Sequence, residues 1–149
     1  MFNYQRLYPH FFFPGKTQYD HNMTENHDRV IDTVNFFSWR CSAKKILEFN
    51  PNLVLFRYWH PFFSTPLRSI AKNIKKQSSQ CKLVALIDNI IPHERFILDS
   101  FLSSFFLSAM DGYLVQSSQV ESDLLKLVNK PKYIKVLHPF YNHYPTKKN

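Results

Sequence analysis

Residues 83–94 of the chain read LVALIDNIIPHE, an unbroken apolar run that changes abruptly into a polar segment. Five consecutive apolar residues without alternation are typical of a parallel β-strand that helices cover on both faces. In open α/β sheets, ligands bind just beyond the carboxyl ends of such strands. The stretch therefore predicts a central strand over 83–87 and a candidate binding loop from Asp88 to Glu94.

Helical and extended patterns alternate on both sides of this strand. The predicted helices cover 39–47, 66–76, 94–110 and 119–128, and the predicted strands cover 53–56, 83–87, 113–116 and 133–137. Such alternation predicts right-handed crossovers and a parallel sheet. We therefore expect an α/β fold, a Rossmann-like doubly wound parallel sheet, in one domain over 1–149. Its predicted parts are an irregular segment over 1–35 with a short strand at 29–34, an alternating core over 36–141 and a basic tail over 142–149.

Side-chain patterns add predicted helix starts and core faces. Ser38, Thr65 and Ser118 each stand where an N-cap is needed, and Glu121 completes a capping box with Ser118. Apolar spacing in the long third helix predicts that its buried stripe consists of Leu98, Phe101, Leu102, Phe105 and Ala109.

Composition limits the classes of function. The 149 residues suit one domain with a sizeable core, and the net charge of +8 favours an anionic partner such as nucleic acid, acidic lipid or a nucleotide. Two glycines exclude glycine-rich phosphate loops, and the Walker A likeness at Gly15-Lys16-Thr17 fails because His10 stands where that motif needs glycine.

Two cysteines without metal-ligand spacing indicate reduced thiols in a cytoplasmic protein, and we predict no signal peptide.

Polar and aromatic residues follow every predicted strand. Since parallel strands deliver their carboxyl ends to one edge, we expect these residues to form a ligand-binding rim. Loops are polar in any fold, so the same pattern is compatible with ordinary surface loops. The candidate binding residues are Arg57, Tyr58, Trp59, His60, Asp88, Asn89, Glu94, Ser117 and His138, and His93 is the candidate catalytic residue.

Several of these residues allow more than one interpretation. His93 stands at a predicted helix start, where the backbone amides disfavour a protonated imidazole. A neutral His93 would donate a hydrogen bond to a phosphate or sugar hydroxyl, act as a base, or only form a hydrogen bond with nearby backbone. Ser117 and Ser118 fit either a phosphate contact or simple capping. A zinc site built from His60, His93 and His138 lacks any supporting ligand spacing, so we predict no metal.

The basic side of the second predicted helix also has two interpretations. It is a solvated helix face, or it contacts anionic membrane. Its members are Arg68, Lys72, Lys75 and Lys76.

Five segments together resemble bacterial family 4 glycosyltransferases, which have the GT-B architecture of two Rossmann-like domains facing across a cleft. The resemblance runs in order through most of the chain. The segments are PGKTQYD at 14–20, NFFSW at 35–39, RYWHPFF at 57–63, DNIIPHE at 88–94 and HP at 138–139.

The resemblance implies that this chain corresponds to the N-terminal, acceptor-side domain. Family members transfer a sugar from a nucleotide-sugar to a hydroxyl with retention of configuration and without a metal, as in polysaccharide biosynthesis. The resemblance implies that the nucleotide-sugar binds mainly to a C-terminal domain, which this sequence lacks together with its Glu-x7-Glu motif. By the same resemblance, His93 reaches toward the donor sugar, and Asp88, Asn89 and Glu94 belong to the surrounding loop.

Three functions therefore stay open at this point. The first is a truncated glycosyltransferase that binds a sugar or lipid-linked acceptor and is inactive alone, in the cytoplasm and peripheral at the inner face of the membrane. The second is a basic module that binds anionic membrane or RNA, although no specific nucleic-acid motif is present. The third is a non-catalytic remnant that needs a separate chain, such as one supplying the C-terminal domain.

Overall fold

The computed structural model describes residues 2–6, 28–90 and 98–136 of the chain. From β2 onward, strands and helices alternate, as the sequence predicts. The strands are β1 Phe2–Arg6, β2 Asp28–Asp32, β3 Leu53–Tyr58, β4 Lys82–Ile87, β5 Gly112–Val115 and β6 Tyr133–Lys135. The helices are α1 Phe36–Glu48, α2 Ser64–Gln77, α3 Asp99–Leu107 and α4 Ser118–Leu127, with a short 3₁₀ helix at Pro61–Phe63 before α2.

All described strand pairs are parallel, which confirms the α/β class. One sheet has the order β3-β4-β5-β6, and β1 pairs with β2 in a separate two-stranded sheet. The predicted short strand at 29–34 corresponds to β2, whereas β1 lies in the segment that the sequence predicts to be irregular. The fold is therefore a four-stranded parallel sheet flanked by helices, consistent with a Rossmann-like arrangement.

One face of the four-stranded sheet carries the described core. Phe56, Ala85 and Tyr113 are register partners on neighbouring strands, and all three are buried. Successive one-strand steps in a single direction require right-handed crossovers on the same side, so α2, α3 and α4 belong to this face. The aromatic ring of Phe106 in α3 contacts the rings of Phe56 and Tyr58, with centroids 6.1 and 4.8 Å apart.

On the opposite face, the edge strand β3 is exposed and the central strand β4 is partly buried. The side chains of Leu53 and Leu55 are 54% and 49% exposed, and Val84 and Leu86 are only half-buried. The crossovers place α2, α3 and α4 on the first face, so the doubly wound arrangement stays a prediction. We call this second surface the bare sheet face; it consists of Leu53, Leu55, Val84, Leu86, Leu114 and Ile134.

The third helix is rotated relative to the prediction. Leu98 and Phe101, assigned to the core, are 64% and 66% exposed, whereas Asp99, Ser103, Phe106 and Leu107 are buried. Two polar contacts turn Ser103 toward the core. The Ser103 hydroxyl lies 2.9 Å from the buried Tyr58 hydroxyl, and it donates to the carbonyl of Ile90 at 3.1 Å. A helix face defined by apolar spacing alone misses an inward-facing serine.

The helix starts differ from the predicted caps. Asn35 caps α1, because its side-chain oxygen accepts from the N–H of Phe37 at 3.0 Å, while the Ser38 hydroxyl donates to the carbonyl of Asp32. Thr65 lies inside α2, which continues directly from the 3₁₀ helix without a side-chain cap. Ser117, rather than Ser118, caps α4.

Asp111 fastens the amino-terminal end of the sheet. Its carboxylate accepts from the N–H of Leu83 at 2.7 Å and from Nζ of Lys75 at 2.8 Å. Burial alone would raise the pKa of Asp111, but these two hydrogen bonds outweigh burial and hold the pKa below its ordinary value. Lys75, predicted to lie on a basic helix face, is therefore engaged in this link between α2 and the sheet.

Replacing Asp111 by alanine should lower the free energy of unfolding by about 1–2 kcal/mol, because the N–H of Leu83 loses its acceptor. A carboxylate with a lowered folded-state pKa stabilises the fold above the unfolded pKa and loses that effect as pH falls through the folded value. Urea unfolding between neutral pH and acid should therefore show a smaller acid loss for Asp111→Ala than for the natural chain. Equal acid losses in the two proteins would contradict this role; Glu48→Ala, on the exposed side of α1, is the control.

No described helix is both long enough and apolar enough to cross a lipid bilayer.

Candidate functional site

The carboxyl ends of the four parallel strands lie along one edge of the sheet. Tyr58, Ile87 and Val115 are successive register partners, and Val115 pairs with Lys135. The residues that follow these positions are therefore neighbours, as the sequence predicts for a shared rim. We call this group the strand-end rim; it consists of Arg57, Trp59, His60, Asp88, Asn89, Gln116 and Ser117.

An ion pair joins the first two strands of the rim. Nε of Arg57 donates to Oδ2 of Asp88 at 2.6 Å, and the N–H of Asp88 donates to the carbonyl of Tyr58 at 2.9 Å. The Arg57 side chain is largely exposed, so the pair contributes little to stability. The other carboxylate oxygen of Asp88, Oδ1, can still accept a hydrogen bond from a ligand.

Trp59 and His60 have fixed orientations beside this pair. The half-buried Trp59 ring packs on Tyr4 and Phe63, with ring centroids 5.7 and 4.6 Å away. Nδ1 of His60 accepts from the N–H of Phe62 at 3.2 Å. An acceptor at Nδ1 means that the neutral ring carries its proton on Nε2, so His60 can donate from Nε2 to a ligand oxygen.

Asn89 and Gln116 supply amide groups at the same edge. Both are half-buried, and no described residue hydrogen bonds with either side-chain amide. Ser117 is mainly a cap, because its oxygen accepts from the N–H of Val120 at 3.2 Å. Its hydroxyl hydrogen remains a possible donor, so the two interpretations of Ser117 are compatible.

The structure corrects the prediction that the Tyr58 side chain takes part in ligand binding. This side chain is fully buried, and its hydroxyl lies 2.9 Å from the hydroxyls of both Ser64 and Ser103. The alternation of a strand turns Arg57 outward and Tyr58 into the core, so consecutive residues at a strand end cannot all face a ligand. Sequence reasoning missed the buried serines and Asp99, since no local motif marks a polar cluster assembled by three separate elements.

Burial raises the pKa of the Tyr58 hydroxyl, Asp99 raises the pKa further, and the hydrogen bonds from Ser103 and Ser64 only partly oppose this. Tyrosine with a raised folded-state pKa favours folding below the unfolded pKa of about 10, and this contribution is lost as pH rises toward the folded value. Tyr58→Phe should lower the free energy of unfolding by about 1–2 kcal/mol at neutral pH, because the hydroxyls of Ser64 and Ser103 lose a shared hydrogen-bond partner.

Thermal unfolding at neutral and alkaline pH checks the Tyr58 prediction. The natural chain should lose more stability above about pH 10 than Tyr58→Phe does. Tyr113 also has a pKa raised by burial, so Tyr113→Phe serves as the comparison variant. A Tyr58→Phe protein as stable as the natural chain at neutral pH would argue against the buried cluster.

Three residues of the predicted site, His93, Glu94 and His138, lie outside the described residues, as does the segment over 14–20 of the family resemblance. A convergence of His60 with the other two histidines is therefore not described. Among residues 28–90 and 98–136, no group of three or more His, Cys, Asp or Glu side chains is arranged to hold a metal ion.

A groove of about 460 Å³ runs beside β3. Its walls are apolar and include Tyr4 of β1 and Leu67 of α2. The N–H of Lys82 and the N–H of Asp88 donate to the carbonyls of Asn52 and Tyr58, so the even-numbered residues of β3 pair with β4. The alternate residues turn their N–H and C=O groups toward the groove, where no described strand pairs with them; they are Leu53, Leu55 and Arg57.

Comparison with protein-family models, curated proteins and solved structures yielded no significant match for this chain.

Proposed function

We propose that this chain is the acceptor-side part of a glycosyltransferase-like protein and binds a sugar hydroxyl group at the strand-end rim. The observation that carries the proposal is the convergence of Trp59, His60, Asp88 and Asn89 at the carboxyl ends of adjacent parallel strands. The likeness of the sequence segments to family 4 glycosyltransferases supports the same conclusion.

The rim groups suit a polyhydroxyl ligand. A sugar ring presents donors and acceptors around its edge and an apolar C–H surface on its faces. The Nε2–H of His60 and the amide of Asn89 donate, the Asp88 carboxylate accepts, and the exposed part of the Trp59 ring offers an apolar surface. Arg57 holds the carboxylate in place by its hydrogen bond.

In this proposal the reaction moves a sugar from a nucleotide-sugar to the bound hydroxyl, with retention of configuration. By the family resemblance, His93 would act at the donor sugar, and Glu94 and His138 would contribute to substrate binding. The nucleotide-sugar would bind mainly to a second, donor-side domain, and no metal or other cofactor is required. The chain would act in the cytoplasm, peripheral at the inner face of the membrane.

A separate chain that supplies the second domain is part of the proposal. The bare sheet face and the groove beside β3 are two mainly apolar surfaces that a folded partner would cover. An extended apolar segment of that partner, adding beside β3, would satisfy the N–H and C=O groups of Leu53, Leu55 and Arg57. This fits the remnant interpretation of the sequence as well as the truncated-enzyme interpretation.

Binding to a library of mono- and disaccharides by saturation-transfer NMR tests the proposed rim. Asn89→Ala should weaken binding about tenfold with little loss of stability, because no described residue depends on its amide. Gln80→Ala, on an exposed loop at the opposite end of β4, is the matched control and should bind normally. Unchanged saccharide binding by Asn89→Ala, or no binding by the natural chain, would count against the rim.

A further inference from the structure

The outward side of α3 carries an apolar stripe that no described element covers. Leu98 and Phe101 are about two-thirds exposed, and Phe105 is also exposed. The rings of Phe101 and Phe105 stack with centroids 6.3 Å apart. Large apolar residues aligned in this way on a surface helix indicate contact with an apolar phase or a partner.

Arg68 of α2 lies directly beside this apolar stripe. Arg68 donates to the carbonyl of Phe105 and, at 2.7 Å, to the hydroxyl of Ser108, and its guanidinium lies 4.1 Å from the Phe105 ring centroid. Lys72 and Lys76 follow Arg68 at one-turn intervals on the exposed side of α2. We define the α2–α3 surface as Leu98, Phe101, Phe105, Arg68, Lys72 and Lys76.

The charges of this surface are not neutralised within the described part of the chain. Lys75 pairs with Asp111, but no described carboxylate forms an ion pair with Arg68, Lys72 or Lys76. The net charge of the whole chain is +8. A positively charged strip adjoining exposed apolar side chains is complementary to a surface that is anionic outside and apolar beneath.

We propose that the α2–α3 surface docks on an anionic lipid bilayer. Leu98 and Phe101 enter the boundary between headgroups and acyl chains, while Lys72 and Lys76 contact lipid phosphates. RNA is the other anionic macromolecule that a basic surface could bind. The bilayer is favoured because the apolar stripe includes an aliphatic side chain, Leu98, which offers no stacking surface to bases.

Co-sedimentation of the full 149-residue chain with vesicles tests this proposal. Vesicles of equal parts phosphatidylcholine and phosphatidylglycerol should bind the chain, pure phosphatidylcholine should bind it weakly, and added salt should reduce binding. Lys72→Glu should lower the partition coefficient about fivefold or more. Leu98→Ser should lower it about tenfold, because a large apolar side chain no longer enters the bilayer.

Matched controls lie on the opposite side of the sheet. Leu53→Ser removes a similarly exposed leucine from the bare sheet face, and Lys82→Glu reverses an exposed lysine on that side. Both should bind vesicles like the natural chain. Circular dichroism confirms that each variant is folded, and Leu98→Ala and Lys72→Gln repeat the test if the first pair unfolds.

Three results would overturn the proposal. The first is equal binding to neutral and anionic vesicles. The second is loss of vesicle binding in Leu53→Ser rather than in Leu98→Ser. The third is tight binding of a single-stranded RNA oligonucleotide that Lys72→Glu abolishes, in a chain that ignores vesicles.

Discussion

Replacing Phe106 by alanine should lower the free energy of unfolding by about 3–5 kcal/mol. The Phe106 ring has no exposed surface, stacks on Tyr58 at 4.8 Å and contacts Phe56 from the sheet. Truncation would leave a cavity at the junction of α3 and the sheet. This is among the largest losses expected for any single substitution in a domain of marginal stability. Urea unfolding followed by circular dichroism measures the change.

Phe101→Ala is the decisive companion variant. Phe101 lies in the same helix but is 66% exposed, so its truncation should change the free energy of unfolding by less than about 1 kcal/mol. The apolar spacing of the sequence assigns Phe101, and not Phe106, to the core. Equal losses for the two variants, or a larger loss for Phe101→Ala, would mean that α3 packs with the predicted face and not the described one.

The isolated chain should show no sugar transfer above the uncatalysed rate. Enzymes accelerate their reactions by at least about a millionfold, and that acceleration depends on positioning and charge stabilisation around both reactants. In the proposed function the donor-binding side of the cleft belongs to another domain. Incubation of the purified chain with UDP-glucose, UDP-galactose or GDP-mannose and a saccharide library, followed by mass spectrometry, measures transfer.

Co-expression extends this second prediction. A separately encoded donor-side domain, expressed with the chain, should co-purify with it and give turnover. Leu55→Lys on the bare sheet face should weaken that association. Leu125→Lys, on an equally exposed position of α4, is the control. Robust turnover by the chain alone would contradict the acceptor-side assignment.

Much of the fold could be predicted from local patterns. The apolar run over 83–87 coincides with β4, and the helical spacing of Leu67, Ile70 and Ile74 correctly gives the buried side of α2. Each of these signals lies within a single element, where periodicity reports burial directly. The parallel arrangement follows from the alternation of the elements, because a crossover helix between adjacent strands leaves little alternative.

The remaining features depend on distant partners. Ser103 faces inward only because Tyr58 and Ile90 stand opposite it, and Asn35 displaces Ser38 as cap because the Ser38 hydroxyl is drawn to Asp32. Nothing within α3 or α1 specifies these partners. Coverage of a sheet face is equally non-local, so an apolar strand predicts burial whether or not a helix is present to provide it.

The candidate site, like the fold, could be predicted only in part from the sequence. The shared edge of Arg57, Asp88 and Asn89 follows from parallel strands, and their proximity is what the sequence predicts. Their individual roles do not, because alternation decides that Arg57 faces outward and Tyr58 inward. The capping use of Ser117 likewise depends on where α4 begins. His93, the candidate catalytic residue, lies outside the described residues and stays a prediction.

Mapping saccharide binding on the ¹⁵N-labelled chain by amide chemical shifts tests the central claim most directly. The rim predicts that a bound saccharide changes the shifts of His60, Asp88 and Asn89 and leaves Asn52, Ser79 and Asp111, at the other end of the sheet, unchanged. Shift changes concentrated at that opposite end, or spread over the α2–α3 surface without any at the rim, would contradict it.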